Sequence, residues 1–102
     1  MKKNNIFQLE FKEKYSNLTG NKYGSDIYKE QVGSNINYNE KITIIFPDYI
    51  NSIGTSFIQG FFEVLVSKIG LSGINENVEV IARGIPNVKE IILKRLTFWG
   101  TF

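Results

Sequence analysis

The hydroxyls of Ser52, Thr55 and Ser56 lie between an apolar run ending at Phe46 and an apolar, helix-spaced run that begins at Phe57. A hydroxyl in the first turn of a helix sits among amides with no intrahelical partner, at the positive end of the helix dipole. A phosphate is stabilised there. Ser56 falls in that first turn and is the candidate phosphoacceptor, with Thr55 and Ser52 as secondary candidates. Thr55 and Ser56 equally suit plain helix capping, a role worth about 1 kcal/mol. Ser56, Gln59, Gly60, Glu63 and Ser67 recur at steps of three and four and form the polar stripe of an otherwise apolar helix. Gln59, Gly60 and Glu63 join Asp48, Asn51 and Gly54 of the preceding loop as the candidate partner-binding surface. Gly60 leaves room there for the close approach of another backbone.

Other chemistries have little to run on. The chain contains no Cys and no His. Disulfides, thiolate metal sites and cysteine nucleophiles are therefore excluded, and the commonest general base and zinc ligand are missing. The expectation is a non-enzymatic binding module with no cofactor and no metal. Asp26 and Asp48 fall in separate segments, where solvation accounts for them as well as a carboxylate pair would. Gly20-x3-Gly24 lacks a phosphate-loop pattern and reads as a turn. Arg83-Gly84, after a strand, fits either an anion contact or a solvated surface. Basic residues number 12 and acidic residues 10, a net charge of +2 with no footprint for nucleic acid. Lys2, Lys3, Lys12, Lys14 and Lys22 are interleaved with Glu10, Glu13 and Asp26. No segment reads as the roughly 18 apolar residues of a membrane span, so a cytoplasmic protein without a membrane partner is expected. The aromatic tail Phe98-Trp99-Gly-Thr-Phe102 is expected to pack on the fold or, if exposed, to bind protein.

These residues must be positioned by a single domain covering residues 1–102, with 42% hydrophobic and 22% charged residues. Ile6 to Phe11 alternates as a strand at the edge of a sheet, open to pairing with a second copy. Residues 16–24 read as a loop, after which Ser25 caps a short helix to about Val32 that Gly33 ends. Lys41 to Phe46 is apolar enough for a strand buried on both faces. A helix from Thr55 or Ser56 to Ile69 packs through Ile58, Phe61, Phe62, Leu65 and Ile69, closed by Gly70 and Gly73. A strand at Val78, Val80 and Ile81 precedes a helix opened by Pro86, whose stripe is Val88, Ile91, Ile92, Leu96 and Trp99. Strand and helix alternate, which predicts an α/β fold with parallel neighbours, a central mixed sheet and helices packed on it.

Three motifs carry a family resemblance: Gly24-Ser25-x-Ile27-x6-Ser34, Lys41-Ile-Thr-Ile-Ile-Phe46 and Ile50-x2-Ile53-Gly-Thr-Ser56-Phe57. Over about residues 20–98 the chain resembles the small bacterial STAS-like family of unknown function, distantly related to anti-sigma factor antagonists. The resemblance implies a small STAS-like fold and a protein-interaction role. It also implies a partner of the GHKL type, an ATP-binding protein that is both serine kinase and anti-sigma factor. Laid on the chain without a gap, the Asp-Ser-Ser-Gly motif falls on Gly54, Thr55, Ser56 and Phe57, and Ser56 matches the phosphoacceptor. Gly54 and Phe57 depart from the motif's Asp and Gly. The family's strand-end Asp is Phe46 here, with Asp48 two residues later. A shifted register would instead place Ile53 at the acceptor. Two alternatives stand beside this reading. One is a small-ligand or nucleotide-binding accessory subunit that uses Arg83 and Ser56. The other is a phage or mobile-element decoy of a host regulator, in keeping with an Ile-, Asn- and Lys-rich composition.

Overall fold

Each apolar strand is followed by a helix, so the chain returns to the sheet only by crossovers, and a crossover makes neighbouring strands parallel. A computed structural model describes residues 5–99, the side chains of Phe98 and Trp99 excepted. Its elements are β1 (Ile6–Gln8), β2 (Asn17–Leu18), α1 (Asn21–Tyr28), a π-helical turn (Lys29–Gly33) and β3 (Ile42–Ile45), then β4 (Ser52–Ile53), α2 (Thr55–Asn77), β5 (Val78–Ile81) and α3 (Val88–Trp99). The side chains of the aromatic tail, and Lys2 and Lys3, lie outside what is described, although the backbone of Phe98 and Trp99 closes α3.

The main sheet has the order β1-β3-β5, with Phe7 opposite Ile44 and Ile44 opposite Val80; β2 pairs with β4 beside it. Among the described residues every strand pair is parallel, so the α/β class holds while the expected mixed sheet is corrected. The strand order never reverses. Two crossovers in one direction, each of the usual right hand, would put α1 and α2 on the same side, and the burial pattern agrees. Phe7, Ile42, Ile44, Val78 and Val80 are buried, whereas Ile6, Gln8 and Glu79 on the other face are exposed. Thr43, Ile45 and Ile81 are half-buried there. The expected burial of the Lys41–Phe46 strand on both faces is therefore also corrected.

Glycines set how closely the helices pack. A Cβ on Gly24 of α1 would run into the Phe57 carbonyl of α2, and one on Gly60 of α2 into the Asn21 carbonyl of α1. The contact is reciprocal, backbone on backbone. Phe57, Phe61 and Phe62 continue it into the core, with the Phe57 and Phe61 rings stacked 6.0 Å apart. The helix expected to start after a Ser25 cap begins five residues earlier, at Asn21, with Gly20 (φ 100°) as its N-cap and Ser25 inside it. Side chains pin the intervening loops. Gln31 bonds both the N–H and the carbonyl of Glu10. Asn5, buried, bonds both main-chain groups of Asn37.

In α2 the helical backbone breaks at Gly70 (φ 74°, ψ 172°), one residue after the expected end at Ile69, but a second helical stretch runs on to Asn77. Gly70 therefore kinks the helix, and Gly73 lies within its continuation. By length and mean hydropathy (1.3), α2 is long and apolar enough to cross a membrane, contrary to the sequence expectation. Half of that apolar window is buried inside the domain.

Tyr28 is buried with its hydroxyl 2.7 Å from that of Tyr38 and its ring edge-on to Phe61 at 5.4 Å. Burial, then the bond to Tyr38, push its hydroxyl pKa far above the ordinary tyrosine value. The folded chain thus holds this proton after the unfolded chain has lost it. Stability from Tyr28 is present below about pH 10 and falls as pH rises further. Thermal melts at increasing pH should show a smaller alkaline loss in Tyr28→Phe than in the wild type. Gly60→Ala should destabilise by about 2 kcal/mol or more in urea unfolding, since both atoms that must move are backbone.

Candidate functional site

The residues around Ser56 are brought together by the second, two-stranded sheet. β2 and β4 contribute two residues each, with Asn17 opposite Ser52 and Leu18 opposite Ile53. The amides of Asn51 and Gly54 donate to Ser16 O and Leu18 O, both at 2.7 Å. The loop before α2 is thereby fastened to the loop before α1. On its other side, Gly84 fits against the carbonyls of Ile50 and Asp48, where a Cβ would collide.

This fastening brings two helix N-termini to one point. Gly54 is the N-cap of α2 and Gly20 the N-cap of α1; neither helix has a side-chain cap or an acidic residue in its first turn. Capping by Thr55 and Ser56 is thus corrected, because the cap falls on Gly54, ahead of both hydroxyls. Thr55 is half-buried and Ser56 is exposed. The Ser56 hydroxyl accepts a hydrogen bond from the Gly20 N–H at 3.1 Å. It therefore joins the start of its own helix to the start of the neighbouring one. Uncapped ends of this kind carry partial positive charge from unsatisfied amides. Lys22 adds a cation in the first turn of α1 but pairs with Asp26 at 2.9 Å.

The other sequence candidates fall differently. Ser52 is exposed, but its hydroxyl donates to Asn17 Oδ1 at 2.5 Å within the β2–β4 pair. Asn51 and Glu63 are exposed and Gln59 is half-buried. Gly54 is half-buried against Leu18. Asp48 is exposed, 3.7 Å from an equally exposed Arg83, a pair worth little in water. Gly60 is corrected as a partner contact: α1 of the same chain occupies the space its missing side chain leaves. The polar stripe is interrupted at that point, and Ser67 at its far end donates back to Val64 O at 2.8 Å. Asp26 and Asp48 are each engaged with a different cation.

Gly20 is the site residue that sequence reasoning missed. In sequence, Gly20-x3-Gly24 reads as a turn, and only the positive φ of Gly20 and its bond to Ser56 reveal a role. Among the described residues no group of three or more Asp, Glu, His or Cys side chains is placed to hold a metal. Comparison with known protein families, curated proteins and solved structures finds nothing that matches this chain.

Proposed function

We propose that this chain is a non-enzymatic STAS-like regulatory module that binds a protein partner through the loop 47–54 and the start of α2. Phosphorylation of Ser56 is its switch. The observation that carries the proposal is the meeting of two uncapped helix N-termini at one exposed hydroxyl, with no carboxylate in either first turn. A phosphate on Ser56 brings about −1.5 to −2 charge and three acceptor oxygens to unsatisfied amides. The kinase partner is an ATP-binding protein of the GHKL type. The Ser56 oxygen takes the γ-phosphoryl group of ATP, the bond to ADP breaks, and the hydroxyl proton is released. The partner then meets a dianion where it had met a neutral hydroxyl, on a surface that also carries Asp48 and Glu63. The complex is released. A cytoplasmic setting, where such a kinase and its ATP are found, belongs to the same proposal, and neither nucleic acid nor membrane enters it.

The kinase-class partner provides the test, with complex affinity measured by calorimetry. Ser56→Ala should bind as the wild type does, and Ser56→Asp at least about tenfold more weakly. Equal affinity for all three chains would remove the switch.

A further inference from the structure

Beside the loop 47–54, between the start of α2 and α3, lies a hollow of about 160 Å³. Aliphatic side chains from three elements and a loop line it, among them Ile53 of β4, Ile58 of α2, Ile91 of α3 and Ile85 of the loop before α3. Arg95 is the one charged residue on its wall, one helical turn beyond Ile91, and no carboxylate lines it. Among the described residues Arg95 takes part in no ion pair, and it is exposed. Asn51, exposed, lies on the rim.

Volume and charge select the occupant. An apolar protein cavity of about 150 Å³ takes up a benzene-sized group, so this hollow holds one large aliphatic or aromatic side chain. Binding energy at interfaces concentrates in such anchors when they fill a desolvated pocket. A guanidinium without an ion-pair partner among the described residues favours a carboxylate at the mouth, to which Arg forms paired hydrogen bonds. We infer that this hollow is an anchor pocket for a protein partner, taking one large apolar side chain whose neighbour in the partner's sequence is Asp or Glu. The inference rests on the reading that the loop 47–54 faces a partner, because Asn51, Ser52 and Ile53 belong to both surfaces.

The test requires neither the partner nor phosphate. The capped tetrapeptide Ac-Gly-Leu-Glu-Gly-NH2 is titrated at millimolar concentrations into the ¹⁵N-labelled full chain, and amide shifts are followed. Saturable shifts are expected at residues 51–53, 84–85 and 88–95. Replacing the peptide's Leu by Ala should abolish them, and replacing its Glu by Lys should weaken binding about threefold, as befits an exposed pair. Arg95 is exposed, so Arg95→Glu should fold normally and invert that preference, now favouring the Lys peptide. Absence of saturable shifts, shifts centred elsewhere, or equal affinity for the Glu and Lys peptides would overturn the inference. Loss of the Ser56 switch leaves these outcomes unchanged, so the two readings fail separately.

Discussion

The contact on which the rest depends is the one between α1 and α2, where Gly24 and Gly60 let each helix lie on the other's backbone. A side chain at either position would push the helices apart. The N-terminus of α1 would then no longer lie within hydrogen-bonding distance of the first turn of α2. The Ser56–Gly20 bond is a direct consequence of that closeness. Phe57 and Phe61, stacked one turn apart on α2, carry the packing on from that contact into the core. Core packing and the arrangement of the site are one structural decision.

The sheet supplies the platform for this contact. Three parallel strands taken in order, with no reversal, gather the helical layer on one face and leave the other thinly covered. The small β2–β4 pair then joins the entry loops of α1 and α2, so that both helices start from one patch of surface. A hydroxyl at that patch meets backbone dipoles rather than side-chain charges. Such an environment is fixed by the fold and does not depend on a neighbouring cation. It is held by groups that point at the site whether or not an anion is there.

Much of this layout was legible in the sequence because apolar periodicity carries it. The β3 and β5 strands, the packing face of α2 and the break next to Ile69 all follow from the spacing of Ile, Phe, Val and Gly. Legibility ended where tertiary neighbours decide. Gly60 sits on a polar stripe, so its missing side chain looked like room for a partner, whereas α1 fills that room. The segment Asn21–Tyr28 has almost no apolar repeat in its first turns, so a helix beginning at Asn21 gives no signal. Strands of two residues, as in β2 and β4, are too short for alternation to show. Ile45 reads as buried because it is apolar, although the layer that would bury it is not part of this helical arrangement. At the site, the first-turn position of Ser56 could be read from sequence, but the second helix end that meets it could not.

The central claim is that Ser56 lies where the fold is prepared to hold a phosphate. The most direct measurement installs phosphoserine at position 56 and follows its second ionisation by ³¹P NMR, with the Gly20 amide observed in parallel. Two positive helix ends favour the dianion, so the phosphate pKa should fall below its ordinary value of about 6. The Gly20 amide should titrate with it. A pKa at or above that ordinary value, with an indifferent Gly20 amide, would contradict the account.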